Sequence, residues 1–375
     1  MSFFIIFTTS VLLGASVVTS LALPAVTKGT IIGGGRIGGL LHDLNDGVDQ
    51  LITRNSGETI PAGVEGPIYV CTRNNDLENI IEDCPKDRLC DLIFLQNGIL
   101  TEYLKSKGLE DNTQGLVYFA VSKKGEAPID GKTDTNPEGL TAVTGKWGND
   151  MAARLAKADL ACKVLDKEPW TIAMLEKHIW ICAFMAVGSQ YEGCTVGGVE
   201  KEHNDEVRII INELAEAATW ETGLTFTDDL GDRLCAYARS VSHFPTALKE
   251  FEWRNGWFAD ITLKRASRMM PDLSPKHTTI LSNPENNLFF KAKKAYVEKL
   301  KEEALKIAPA WYASKDKAEI EASERALERL KSEKSVDAGS GESFTKSPTI
   351  LGNSENRDRM MKFLEYKEQI ETLNK

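Results

Sequence analysis

Apolar residues fall in two patterns along this chain, and the change between them divides it. In the first part they form short β-branched or aliphatic runs, at 30–32, 50–53, 68–72, 92–95 and 116–121, separated by polar stretches. Runs of this length bounded by turn residues predict buried strands. Segments 75–82 and 100–107, between the later runs, predict helices, and 56–66 reads as a loop. Strands alternating with helices predict a doubly wound α/β sheet with ligands at the C-terminal strand ends. A Gly/Pro/Lys-rich stretch from 122 to about 165 closes this unit, with hairpin-like strands around 140–145 and a helix over 151–165.

From residue 168 the period is helical. Residues 171–188 are mostly apolar and predict the buried central helix of a second, all-α domain. Within 204–222, Val207, Ile210, Ile211, Leu214 and Ala218 recur on one helix face. A helix over 229–241 follows, then a break at His243-Phe244-Pro245-Thr246 and an aromatic-rich stretch over 247–257. Charged helices over 289–305 and 315–330 read as solvated faces or partner surfaces. Residues 332–375 read as a flexible tail with a terminal helix near 357–373.

At 375 residues the chain has room for two domains and a substantial core. Its formal charge of −10 gives no reason to expect nucleic acid as a partner. The cysteines (Cys71, Cys84, Cys90, Cys162, Cys182, Cys194 and Cys235) number seven and show no C-x-x-C spacing, so neither a disulfide framework nor a metal site is expected. The first 27 residues carry no charge. Their apolar centre, followed by Ser20-Leu21-Ala22 before Leu23-Pro24, reads as a removed targeting segment or as a membrane anchor. The destination is a plastid or similar organelle, or the secretory route, with a soluble protein after cleavage. Membrane contact is expected only if the segment is retained.

The chemistry centres on one turn. Thr30-Ile31-Ile32 runs directly into Gly33-Gly34-Gly35-Arg36-Ile37-Gly38, which matches G-x-G-x-x-G. In a strand–turn–helix context this pattern binds a dinucleotide. Gly33 permits the turn, Gly35 lets the backbone approach the pyrophosphate, Gly38 lets the helix lie on the sheet, and the helix N-terminus offers free N–H donors. An ordinary glycine turn is the alternative. Arg54, ending the second strand, suits a 2′-phosphate and therefore NADP, or is a solvated strand end. Cys71 and Thr72, at the end of the next strand, are placed to face a nicotinamide ribose. Asn97, in Leu95-Gln96-Asn97-Gly98, is either an amide that fixes a substrate carbonyl beside the nicotinamide or a turn residue. The expected domains are thus the N-terminal segment 1–23, a Rossmann-like dinucleotide-binding domain 24–166, a helical domain 167–331, and the tail 332–375.

The glycine turn, Asn97-Gly98 after a late strand, and a helical half built on one apolar helix together resemble the ketopantoate reductase family. That family lies within the wider group of dehydrogenases with a 6-phosphogluconate-dehydrogenase-like helical second domain. The resemblance spans roughly residues 28–265. It implies NADPH-dependent reduction of the ketone of a 2-keto acid in the cleft between domains. The family's catalytic lysine stands two residues after a Trp on the central helix, with an Asn four further on. Matching that Trp to Trp180 puts Cys182 at the lysine position and Ala186 at the Asn position. The family's substrate-binding Glu segment matches best at Trp257-Phe258-Ala259-Asp260, with Phe258 in place of the Glu.

In this register the proton donor is replaced by a thiol, a weak donor with an ordinary pKa of about 8.5. Lys177 is the candidate that would restore it, yet it stands five residues before Cys182, about 140° away around the helix. It also reads as a lysine that snorkels at a boundary. His178 shares the face of Cys182, as an imidazole–thiol pair or as a core histidine. His243 is placed to donate to a carbonyl or to anchor its loop. Two functions remain. One is a divergent NADP(H)-dependent oxidoreductase acting on a small carbonyl or 2-keto acid. The other is a non-catalytic scaffold or accessory subunit of a larger, membrane-associated organellar assembly, with protein partners or a homodimer through the helical domain. An enzyme needs an open polar cleft between the glycine turn and the central helix, and a scaffold does not.

Overall fold

The computed structural model describes residues 26–285, 287–308 and 354–375. Strands β1 (Thr30–Ile32), β2 (Gln50–Ile52), β3 (Ile68–Val70), β4 (Leu92–Phe94), β5 (Thr113–Leu116), β6 (Ala142–Thr144) and β7 (Lys163–Val164) form one sheet in the order β2-β1-β3-β4-β5-β6-β7. Pairing is parallel from β2 through β5, antiparallel between β5 and β6, and parallel again between β6 and β7. Helices α1 (Arg36–Asp43), α2 (Leu77–Asp83), α3 (Thr101–Ser106) and α4 (Gly148–Ala156) flank it.

The two-residue alternation of side chains explains why such short strands hold. Ile32, Val70 and Phe94 point to one face and pack with Leu77 and Leu104. Ile31, Tyr69 and Ile93 point to the other and pack with Leu41, Met151 and Leu155. A parallel sheet needs both faces covered, hence the unbroken apolar runs. Because β2 lies on one side of β1 and β3 on the other, a crevice opens outside the C-terminal ends of β1 and β3.

The second half is helical, as the sequence predicts. Helix α5 (Lys167–Gly188) runs through its middle among α6 (Val196–Glu202), α7 (Asn204–Thr222), α8 (Leu230–Ser240), α9 (Asn255–Ala266) and α10 (Pro275–Leu281). Ile179, Cys182, Ala183 and Phe184 of α5 are fully buried in one cluster with Ile210, Ile211 and Leu214. Among the described residues α5 alone has the length and composition to cross a membrane, and here it forms the inside of a domain. Helices α11 (Leu288–Ile307) and α12 (Ser354–Asn374) pack together on α9 through Leu263, Val297, Leu300 and Leu373.

Four expectations change. The strand predicted at 116–121 lies earlier, at β5. The apolar residues Tyr118 to Val121 instead pass beneath α5 and α8, where the Tyr118 and Tyr237 rings meet edge to face at 4.7 Å. The helix predicted over 151–165 ends at Ala156, and the chain returns to the sheet as β7. Helices α6 and α10 were not anticipated. The end of the predicted tail is a docked helix, with Phe363 and Leu373 buried. The expectations for 1–23 and 315–330 lie outside the described residues.

The N-terminal strand ends are closed by buried charge. Arg154 of α4 is fully buried and pairs with Asp49, while its other N–H groups reach the carbonyl oxygens of Leu41 and Thr27 at 3.0 Å each. Asp150 accepts from the Tyr69 hydroxyl at 2.6 Å and from the Thr27 amide at 2.6 Å.

Candidate active site

At the opposite end of the sheet, Gly33 takes φ +103, a left-handed conformation that favours glycine. A Cβ on Gly38 would stand 1.9 Å from the Gly33 carbonyl oxygen, so α1 can start directly over β1 only with glycine there. Gly35 is the N-cap of α1 and has open space where a side chain would stand. Above it runs a groove of about 970 Å³, lined by residues 33–37 between Thr53 and Arg54 on one side and Cys71, Thr72 and Arg73 on the other. The Arg54 guanidinium is 88% exposed and lies 3.7 Å from Asp76. The turn, the open backbone above it and a cation beside the groove fit a dinucleotide phosphate.

The groove continues, past Arg36, Cys71, Thr72 and Arg73, into a cleft of about 630 Å³ between the sheet and helices α5 and α8. Arg36 braces this passage by donating to the Val121 carbonyl at 3.1 Å. Gln96, which the sequence reading passed over, ties the strand ends together: its amide donates to Val70 O at 2.9 Å and Thr72 O at 3.3 Å. Asn97 lines the cleft, and its carbonyl accepts from Asn74 at 3.1 Å. Asn97-Gly98 is not a hairpin turn. A Cβ on Gly98 (φ +109) would meet Trp253 O at 2.3 Å, and Ile99 N donates to that oxygen at 2.9 Å. The pair is where the two domains dock.

Helix α5 presents Lys177, Trp180, Ile181 and Met185 to the cleft, the i, i+3, i+4, i+8 face. Lys177 is 7% exposed. Its ammonium donates to Val117 O and lies 4.9 Å from the Tyr118 ring centre. Burial, followed by the charge of Arg254, pushes its pKa down to about 7. It does not snorkel. Cys182 faces the other way, in the helical core, with its Sγ 3.7 Å from His178 Nε2. Burial raises the Cys182 thiol, and burial with Arg254 lowers His178 to about 3, so the pair is neutral and outside the cleft chemistry. Of the two candidates on α5, Lys177 faces the cleft and Cys182 does not. Burial lifts Cys71 to about 12, a wall residue rather than a nucleophile.

The helical domain adds Glu250 and Arg254, which the sequence reading did not single out because aromatic residues dominate that stretch. Phe258, set in place of the family Glu, is buried and stacks on the His178 ring at 5.3 Å. Asp260 lies away from the cleft, on the exposed side of α9 near Lys299. His243 is exposed at the cleft edge beside Phe244, their rings 4.9 Å apart. No group of His, Cys, Asp and Glu suited to a metal occurs among the described residues.

This architecture, a mostly parallel sheet domain joined to a helical domain across a cleft, is the fold seen in ketopantoate reductase structures. The chain is similar to a dimeric ketopantoate reductase from Staphylococcus aureus (16% identity, 70% of this chain and 99% of that one, TM-score 0.50). It is also similar to D-mandelate dehydrogenase in a ternary structure with NADH and anilino(oxo)acetate (14% identity, 72% of this chain and 99% of that one, TM-score 0.50). At these identities the likeness establishes the fold. No family model and no curated protein matches the chain.

Proposed function

We propose that this protein is an NADP(H)-dependent oxidoreductase that reduces a small carbonyl compound in the cleft, with Lys177 as the proton donor. The observation that carries this reading is the position of Lys177: buried, and lining the cleft together with Asn97. The open cleft between the glycine turn and α5 favours an enzyme over a scaffold.

When bound, the reduced dinucleotide would supply hydride to the carbonyl carbon. Residues 33–38 would hold its pyrophosphate, and Arg54 its 2′-phosphate. A donor near its pKa at neutral pH combines availability of the proton with willingness to give it up. One Lys177 N–H is fixed on Val117 O, which leaves others to hydrogen-bond the substrate carbonyl and to neutralise the oxygen as charge develops. Asn97 fixes the carbonyl's orientation. The D-mandelate dehydrogenase complex, with an oxo acid analogue beside NADH, supports this choice of substrate type. A homodimer through the helical domain belongs to the same reading, since the Staphylococcus aureus enzyme is dimeric.

The test is titration of the purified protein with NADPH and NADH, following tryptophan fluorescence, and then single-turnover reduction by Lys177→Met. Micromolar binding that prefers NADPH, with turnover lost in the variant, is the expected result. Binding of neither dinucleotide would leave the fold without this function and favour the scaffold.

A further inference from the structure

Proton donation leaves one partly buried cation of the cleft unexplained. The Arg254 side chain is 15% exposed and lines the cleft wall opposite the strand ends. Among the described residues its side chain makes one hydrogen bond, from Nη2 to Glu250 Oε2 at 2.5 Å, and its Nε is buried without a partner. A guanidinium offers five N–H donors in a fixed plane, and a buried one left without an acceptor is costly, whereas a ligand in the cleft can take up the donors that Glu250 does not engage. Glu250, which holds it, takes φ 48 and ψ 50. That left-handed conformation is uncommon for a residue with a side chain, and such strain concentrates at ligand sites.

The remaining neighbours narrow the ligand. Trp180, Ile181, Met185, Tyr237 and Phe244 give this wall an apolar and aromatic surface, with His243 at its exposed edge. The Glu250 carboxylate holds Arg254 through Oε2. Arg254 and Lys177 line the same cleft, so one small substrate can meet both cations.

We propose that Arg254, positioned by Glu250, is the substrate's anion anchor: it binds a carboxylate next to the carbonyl that Lys177 protonates, and the apolar wall takes an unhydroxylated side chain. This rests on the carbonyl-reducing reading of the cleft. Glu250 is a positioning residue. The guanidinium donates two parallel N–H bonds to the carboxylate, a geometry that an ester or amide cannot match in charge.

The experiment uses the full chain with NADPH, and compares 4-methyl-2-oxopentanoate with its methyl ester. Oxamate, which mimics the acid but is not reduced, is titrated by tryptophan quenching. The wild type should prefer acid to ester, and Arg254→Met should lower that preference and the oxamate affinity by about 30-fold. Arg254→Lys should restore part of both, and Glu250→Gln should lower the preference several-fold with little change in the rate at saturation. A purely structural role would change acid and ester turnover alike, whereas Arg254→Met should raise KM for the acid and leave that for the ester near the wild-type value. Equal use of acid and ester by the wild type, or oxamate binding unchanged in Arg254→Met, overturns the anchor while leaving the reductase reading intact. Loss of NADPH binding and of all carbonyl turnover removes the reductase reading. In that case oxamate alone decides the anchor, by binding to the wild type and not to Arg254→Met.

Discussion

Arg154 and Lys177 are both buried cations at the edge of the same sheet, at opposite ends of its strands, and they have opposite fates. Burial works against the charge on Arg154, but the Asp49 hydrogen bonds and the nearby Tyr69, Asp49 and Asp150 hold its pKa above the ordinary value. Lys177 has a carbonyl oxygen and an aromatic face but, among the described residues, no carboxylate partner, so burial and then the neighbouring charge of Arg254 lower its pKa. The first arrangement ties α4 to Asp49, just before β2, and to the chain before β1, and closes the fold. The second borders a cleft of about 630 Å³. A buried charge surrounded by acceptors is architecture; one left short of them beside open space is available to a ligand.

The largest effect should come from removing the available charge. Lys177→Met should lower carbonyl reduction by about 10²- to 10⁴-fold, the usual range for a positioned proton donor, while leaving NADPH affinity near the wild-type value. Removing the satisfied charge should act on stability instead. Arg154→Met leaves Asp49 buried without its counter-ion and should cost about 3–5 kcal/mol in denaturant titration. The double variant Asp49→Asn, Arg154→Met should recover part of that loss. If Arg154→Met instead abolished turnover at full stability, the contrast between the two ends would collapse.

A smaller and graded effect is expected from pH. Reduction should fall as pH rises through about 7, where Lys177 loses its proton, and the reverse oxidation should rise through the same midpoint. Stability carries the same signature. Because the Lys177 pKa is lower in the folded chain than in the unfolded one, the unfolded chain binds the extra proton between pH 7 and about 10.4. Stability should therefore rise with pH across that window, and Lys177→Met should lack this rise.

The same contrast explains what the sequence made legible. The glycine turn was readable because its demands are local: φ at Gly33 and the contact between Gly38 and Gly33 depend on residues five apart. The alternating strands and α5 were readable because burial on all sides leaves continuous apolar runs. The face of α5 was not. It has apolar residues all round, so a match displaced by five residues turns it by about 140° and exchanges Lys177 for Cys182. The run at 116–121 was taken for a strand because an interface between domains is as apolar as a sheet, while β5 itself carries the buried polar residues Thr113 and Gln114. Arg254 joins the cleft through contacts distant in the chain, and no local pattern marks it. The Arg154 network escaped for the same reason, since Thr27, Asp49 and Arg154 meet only in the folded chain.

Arg54 offers the mildest test, and its exposure sets the scale. Unlike Lys177 and Arg254 it is 88% exposed, and its pairing with Asp76 at 3.7 Å is of the kind that contributes little to stability. A phosphate held by such a side chain is screened by solvent and salt, so Arg54→Gln should weaken NADPH binding only about tenfold. The loss should shrink as ionic strength rises. NADH, which has no 2′-phosphate, should bind the variant as it binds the wild type, and melting temperature should not move. Asp76 adds a second handle: its carboxylate lies beside the same groove, so Asp76→Asn should strengthen NADPH binding slightly by removing a repelling charge. If both dinucleotides weakened alike in Arg54→Gln, the arginine would be shaping the groove rather than recognising a phosphate, and the preference for NADP would have to come from Arg36 or Arg73 where the groove meets the cleft.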